Sequence, residues 1–396
     1  LYQVAAAELG PSEIAYPIRS IFRGASNVHF RMSEVRGLDL DGRRAETPEG
    51  ALPYDHLILA LGSVPHFFGT QGAAEHAFPL RTMDEAVPLR HQVLTRFEAA
   101  AQEEDPQARR RLLTFQVVGG GPTGVEFAGA LAELVYGPLE RDYPAIDTSE
   151  VRIVLLEARE RLLTGMPEAL GAYAERRLRS RGVEVRTGAL VGRVCPRAVE
   201  LEEGETIPGD TVVWTAGVRG DPEVEAWGLP AAGGGRVRVE ATLRLRDWPE
   251  VSVVGDLAYL EDEGGSPLPQ VAPVAMQQGE QAAENVLRTL RGEEPRPFQF
   301  HDPGMLAVIG RNAAVAHVGG RAFTGFPAWL LWLVVHIVKL IGFRNRALVL
   351  VNWAWNYIFY ERSVRLILPF GGGGAGKGDG ARGSPRTPEG EHTRTR

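Results

Sequence analysis

The sequence predicts an α/β fold, on three observations. A β-prone run, Phe115–Val118, enters a turn carrying Gly119, Gly121 and Gly124 and leaves it as a helix of small residues. Two more short apolar strands run into glycine, His56–Gly62 and Thr211–Gly217, and a third, Val251–Asp256, ends in Gly255-Asp256. Helical patterns alternate with these strands, at Leu80–Ala101 and Met166–Arg181, and a further one, Ala275–Leu290, follows the last.

The glycine turn carries the most chemistry. Gly119 permits a tight turn, Gly121 lets a pyrophosphate approach the backbone, and Gly124 lets the following helix pack closely while its N-terminal N–H groups face the anion. A second strand, Val151–Glu157, ends in an acid where a ribose hydroxyl would be bound. Glu157 lies further from the glycines than the usual twenty or so residues. The excess is a Pro- and charge-rich insertion, Tyr136–Glu150. The carboxylate favours NADH over a 2′-phosphorylated coenzyme, although Arg159 and Arg161 follow it closely.

Taken in order, Leu1–Arg19 reads as a loop and a helix, with Pro11 at the helix start and Ser12 as its cap. Short strands are expected at Val28–Met32, Val35–Leu40 and Ala51–Tyr54, with turns at Asp41-Gly42 and Glu49-Gly50; His56–Gly62 is expected to be buried. The glycine-turn helix should run from about Val125 to Val135. After it come a strand at Val183–Arg186 and a small antiparallel excursion at Val191–Val194, Ala198–Leu201 and Glu205–Pro208. A strand region covers Met305–Val318, and from Gly371 the chain is too rich in glycine and charge to support a core, so it is expected to be disordered.

Composition limits the function. The 396 residues, 44% hydrophobic and 23% charged, suffice for two to three domains, and the net charge of −7 argues against a nucleic-acid partner. One cysteine, Cys195, excludes a disulfide framework and a Cys-x-x-Cys redox pair; it reads as a small buried or half-buried residue. The nine histidines show no metal-ligand spacing, and there is neither a nucleophile elbow nor a Walker loop. The chain opens at Leu1, without an initiator Met or a basic signal region, inside what reads as folded sequence.

The end of the chain has a different character. From Ala328 onward there are ten Lys/Arg against four Asp/Glu. Phe326–Phe343 is too short and interrupted for a membrane span, which needs ~20 apolar residues. It is followed by Ala347–Tyr360 with Trp353, Trp355, Tyr357 and Tyr360, then Arg362 and Arg365. Aromatic residues bordered by cations suit a helix lying in a membrane interface; a buried core helix or a dimer contact is the alternative.

With these features in this order, the chain resembles the two-dinucleotide-binding-domain flavoproteins, and most the type II, non-proton-pumping NADH:quinone oxidoreductases. The resemblance runs from Leu1 to about Phe370. It rests on Leu1–Ala5 with Pro17–Arg19, the loop Gly119–Gly129, Val254-Gly255-Asp256, Ala272–Gly279 and the apolar C-terminal module. It implies two Rossmann-like domains: an FAD domain in two parts (1–111 and 236–297), incomplete here, around an NADH domain (112–235). A membrane-anchoring module (298–370) and a tail (371–396) follow. The family's own FAD glycine loop lies upstream of this start, so the chain is expected to be a fragment, and the resemblance leaves open whether it holds FAD by itself.

The resemblance also assigns roles. Asp256 would bond the ribityl chain, Gly62, Gly217 and Gly255 would line the cofactors, and the helix at Ala275 would point its N-terminus at the flavin. Gln3 would approach the flavin, while Glu126 would stand near the nicotinamide and quinone, unless it only complements its helix dipole. Gln277 matches the second glutamine of the quinone-side motif, but Pro273 replaces the first, and Asp302-Pro303-Gly304 replaces Asp-Lys-Gly. The expected activity is hydride transfer from NADH to FAD and on to a membrane quinone, with Glu126 and Gln277 as positioning or proton-handling groups. The expected location is the cytoplasmic face of the membrane, attached through residues 326–365, with a homodimer as a possible assembly. The alternatives are a reductase for a soluble carrier such as ferredoxin, or a non-catalytic NAD-binding fragment.

Overall fold

Five parallel strands form the sheet that carries the glycine turn, in the order Phe78–Pro79, Thr211–Trp214, Thr114–Val118, Arg152–Leu156, Val183–Arg186. Thr114–Val118 is buried at every position because it has a strand on each side and helices over its faces. The helix Met83–Gln102 covers the sheet through Leu89, Val93 and Phe97, which recur at helical spacing. This is a computed structural model, and it describes residues 1–339, 343–359 and 365–367. Residues 1–365 make one compact unit; the second, 366–396, contains the whole of the expected tail, which lies outside the described residues, as do Tyr360 and Arg362.

The glycine-turn helix spans Pro122–Leu134, three residues earlier than expected. Gly121 is its N-cap, and Pro122 stands in the first turn, where no intrahelical N–H is required. Beyond Leu134 the expected insertion is a widened turn, Val135–Leu139, containing Pro138, followed by short helices at Glu140–Asp142 and Thr148–Glu150. The polar helix also begins a turn early, at Ala272 rather than Ala275, with Pro273 in its first turn. The antiparallel excursion forms as expected, from Val191–Cys195, Ala198–Leu201 and Thr206–Pro208.

Three expectations need correction. Val28–Met32 is not a strand: its side chains are mostly exposed and no described strand pairs with it. Ser12 is not the cap of Pro11–Ile14; Gly10 is, with its N–H donated to the Glu13 carboxylate. The segment His56–Gly62 is only partly buried. Its strand, Leu57–Leu59, pairs with Val251–Val253 alone, and Ile58 is 39% exposed because no described strand covers the other edge.

A second antiparallel sheet, Met305–Gly310, Ala313–Val318 and Arg321–Gly325, leads into the helices Phe326–Lys339 and Phe343–Phe359. Its first strand lies directly on the glycine-turn helix. A Cβ at Gly129 would stand 2.3 Å from the carbonyl oxygen of Ile309, so the helix and strand can approach this closely only over glycine. Beside this contact, Glu133 accepts from the backbone N–H of Arg311 and from the Arg181 guanidinium, which joins the helix to the hairpin turn.

Gly129→Ala should therefore destabilise the fold by ~3 kcal/mol through overpacking, whereas Gly137→Ala, with no atom within 4 Å of the added Cβ, should change it by under ~1 kcal/mol. Urea unfolding of the two variants checks this; equal stabilities would refute the close approach.

Candidate active site

The glycine loop has the stereochemistry its sequence implies. Gly119 has φ +111°, and a Cβ there would meet the Ala216 backbone at 2.7 Å. A Cβ at Gly124 would lie 1.9 Å from the Gly119 carbonyl oxygen. Gly121, by contrast, has no atom within 4 Å of an added Cβ, which leaves the helix N-terminus open to an anion. Thr215, in the sequence leading to Gly217, buttresses the turn by donating its hydroxyl to the carbonyls of Val118 and Gly119 at 2.9 and 3.1 Å.

Glu157 closes one side of this loop. Its carboxylate accepts from the N–H groups of Gly120 at 2.6 Å and Arg159 at 2.8 Å. The two neighbouring arginines turn to their own loop: Arg161 donates to the carbonyls of Thr164 and Met166, and Arg159 to the Thr164 hydroxyl. Gly217 packs under Phe68, whose ring would lie 2.6 Å from an added Cβ, and its carbonyl accepts from His66 N–H at 3.0 Å.

A second cradle forms at the ends of the two paired strands. Gly62 (φ +74°) and Gly255 (φ +72°) both turn through the left-handed region, and nothing lies within 4 Å of a Cβ at Gly62. Between them Asp256, 6% exposed, accepts from the Ser63 hydroxyl at 2.8 Å and from the Arg81 guanidinium. Ala275 packs its methyl on Gly255, and Gln278 accepts the Gly255 N–H at 2.7 Å. The structure thus brings together Gly62, Gly255, Asp256 and Ala275. Ser63 and Arg81 join them although no sequence motif announced them, and so does Gln278, which lies in the Ala272–Gly279 motif without having been assigned a role. Open backbone at a glycine turn and a carboxylate held in place suit a hydroxylated ligand chain, so these residues fit a flavin.

Gln3 and Glu126 stand elsewhere, in the wall of a cavity of about 850 Å³ between the glycine-turn helix, the strand Met305–Gly310 and the two C-terminal helices. Gln3 donates its side-chain amide to the Glu8 carboxylate at 3.1 Å, while its backbone carbonyl accepts the N–H groups of Glu8 and Leu9. Glu126 lies in the second turn of its helix and accepts weakly, at 3.3 Å, from Val308 N–H. Burial pushes its carboxyl up to about 7; Val308 N–H, the Leu1 amine and Trp332 act against that rise, and Glu8 adds to it.

Gln277 does not join this group. Its amide makes a reciprocal pair with the His301 backbone, donating to the carbonyl at 2.8 Å and accepting the N–H at 3.0 Å. It lines a separate groove with Glu280, Glu284 and Phe298. No group of His, Cys, Asp and Glu among the described residues could hold a metal, and Cys195 is a half-buried free thiol.

Comparison with known proteins agrees with this layout. Residues 2–279 match the pyridine nucleotide-disulphide oxidoreductase family, and residues 303–362 match the NDH2 C-terminal domain. The type II NADH:quinone oxidoreductase Ndh of Mycobacterium tuberculosis is 36% identical over 382 residues, covering 93% of this chain and 81% of that one. The type II NADH:quinone oxidoreductase of Staphylococcus epidermidis is 31% identical, covering 86% and 85%. Among solved structures, NDH2 from Plasmodium falciparum in complex with NADH superposes with a TM-score of 0.85 at 16% identity, over 93% of this chain and 91% of that one, which speaks to the fold.

The raised carboxyl of Glu126 has a consequence for stability. A folded-state value of about 7 against an ordinary 4.5 means that the folded protein holds this proton where the unfolded chain has lost it. The contribution is full below the ordinary value and is lost as pH rises toward 7, by up to about 3 kcal/mol. Unfolding free energies measured on either side of that window should show this fall in the parent protein and not in Glu126→Gln. Parallel pH profiles would refute it.

Proposed function

Because the chain belongs to the type II NADH:quinone oxidoreductases, we propose that its glycine loop, its Gly255-Asp256 cradle and its Glu126 cavity are successive stations of one electron path. The protein is a flavoprotein that oxidises NADH and reduces a quinone without pumping protons. The observation that carries the assignment of stations is the helix Pro122–Leu134, whose open N-terminus and whose Glu126 serve two different sites.

At the first station, Gly121 and the helix N-terminus receive the NADH pyrophosphate, and Glu157 accepts from the adenosine ribose. Glu157 already holds two backbone N–H groups, so it is fixed in place, and its charge repels a 2′-phosphate while Arg159 and Arg161 are engaged elsewhere. Gly217, lacking a Cβ, lets the Phe68 ring pack against the loop beneath the turn. At the second station, Gly62, Gly255, Ala275 and Asp256 hold FAD, with Ser63 and Arg81 orienting the Asp256 carboxylate. FAD held by these residues would supply the redox chemistry that links NADH to the quinone.

At the third station Glu126 handles a proton. The overall reaction, NADH plus quinone plus one proton giving NAD⁺ and quinol, consumes a proton from water. A carboxyl that titrates near 7 is half protonated at neutral pH and suited to deliver it. Gln277, tied to His301, is a positioning group that fixes the segment leading into the C-terminal sheet.

The cavity opens on an apolar surface. Phe326, Leu330, Val334 and Val338 recur every four residues and are exposed along one helix, and Leu350, Val351 and Trp355 are exposed on the next. Leu330, Val334, Val338 and Leu350 also line the cavity, so its mouth lies in this stripe. No described helix is long and apolar enough to cross a membrane. The stripe suits a helix pair resting in the lipid surface, where a quinone dissolved in the bilayer reaches the cavity without entering water. We place the enzyme on the membrane face that meets cellular NADH, the cytoplasmic one.

Purified protein supplied with FAD should oxidise NADH with a soluble quinone analogue, with kcat/KM for NADPH lower by at least about tenfold. Glu157→Gln should narrow that gap by improving NADPH use; equal use of the two coenzymes by the parent protein would refute the role of Glu157. In flotation with anionic phospholipid vesicles, Val351→Glu combined with Trp355→Glu should weaken binding by roughly tenfold or more. Flotation unchanged from the parent would remove the helix pair as the lipid contact.

A further inference from the structure

The cavity wall contains two buried indole N–H groups without an acceptor. Trp332 is 3% exposed, and its Nε1 has no hydrogen-bond partner; Trp353, packed against it at 5.4 Å between ring centroids, is unpaired in the same way. Both line the cavity that holds Glu126. An indole N–H only donates, and burying it unpaired is unfavourable, so the group that satisfies it must carry an acceptor oxygen. The indole faces the Glu126 carboxyl and acts on it as a donor would, yet it stands short of normal hydrogen-bond geometry there, and the hydrogen bond the carboxyl does accept comes from Val308 N–H, so Trp332 Nε1 is at best weakly satisfied.

The surroundings narrow the ligand's chemistry. Ala130, Val308, Leu333 and Ile337 give the cavity an apolar lining around these few polar groups. A flat apolar ring bearing carbonyl oxygens matches both parts. We propose that Trp332 Nε1–H donates to a carbonyl oxygen of the quinone, beside the Glu126 carboxyl, which makes Trp332 a substrate-positioning residue; this rests on reading the cavity as the acceptor site. The bond strengthens as the oxygen gains negative charge during reduction, so the same donor that orients the ring also favours its reduction. Electrons reach the ring from NADH through the bound flavin. The two electrons and one of the two protons of the quinol originate in the NADH hydride. The Glu126 carboxyl supplies the second proton, forming the O–H bond on the oxygen beside it, and the carboxylate left behind regains its proton from water.

The test compares Trp332→Phe with the parent FAD-loaded protein. The readouts are the melting temperature without quinone, the equilibrium affinity for a soluble quinone analogue without NADH, and the KM for each substrate. In Trp332→Phe the melting temperature should fall by a few degrees through lost packing alone, whereas removal of the donor with the ring shape kept should leave it unchanged or raise it by roughly 2 °C. Affinity for the quinone analogue should fall on the order of tenfold, with KM for NADH unaltered. Replacing Trp332 by benzothienylalanine, which keeps the bicyclic shape and exchanges N–H for sulfur, should reproduce the loss of affinity without a change of packing.

A clear drop in melting temperature for the benzothienyl protein would mean that the N–H is already satisfied, and would overturn the proposal. Unchanged quinone affinity would overturn it too. Glu126→Gln separates the two levels of failure. If it slows quinone reduction while the Trp332 variants bind quinone normally, only the Trp332 assignment falls. If none of these variants affects the quinone, the cavity is not the acceptor site, and both the assignment and the reading beneath it fall.

Discussion

The close packing of the helix Pro122–Leu134 between two pieces of backbone governs the rest of the site. At one end Gly124 lies under the Gly119 carbonyl; at the other Gly129 lies against the Ile309 carbonyl. Five residues of α-helix separate these contacts by ~7.5 Å along the axis, and a helix of this length does not stretch. Glu126, between them, consequently has little freedom in where it stands. A side chain fixed in this way can be held in an apolar cavity although burial opposes its charge, because the cost falls on a packed element rather than on a loop that could turn away. The Glu133 contacts to Arg181 and Arg311 tie the same helix to the hairpin turn.

How much of this was legible in the sequence depends on whether the constraint is local. Gly119, Gly121 and Gly124 were readable because a strand, a tight turn and a helix in succession leave few backbone solutions. The buried strands Thr211–Trp214 and Val251–Val253 were readable from continuous apolar runs. Leu57–Leu59 has the same kind of run and is half exposed, since burial depends on the neighbours a strand finds and not on its own composition. Arg321–Gly325 failed in the opposite sense: nearly every residue is exposed, so no alternation marked it as a strand.

The two adjacent glutamines show the limit most clearly. Gln277 and Gln278 have identical chemistry, yet successive residues on an α-helix point about 100° apart. Gln278 is fully buried and holds Gly255, whereas Gln277 faces the His301 backbone. A motif fixes the order of residues; the rotation of the helix, which decides which glutamine looks inward, is set by how Ala275 seats on Gly255. The departure at Pro273 is explained by the same helix. In its first turn a proline loses no hydrogen bond, so the helix can begin at Ala272.

An acceptor cavity at the C-terminal helices, as proposed, resolves a conflict between the two substrates. NADH is a charged, water-soluble molecule that needs an exposed helix N-terminus, whereas a membrane quinone is apolar and needs a route that avoids water. One helix cannot offer both environments at one point, but it can at two. Here its N-terminus opens at Gly121, while its second turn contributes Glu126 to a cavity whose mouth lies among exposed apolar side chains. On the proposed reading, the lipid surface excludes water from the mouth, and that exclusion strengthens every polar contact inside, including those made by the carboxyl and the unpaired indoles. The exposed apolar stripe, which would be a liability on a protein that stays in water, then becomes the condition under which the buried acid works.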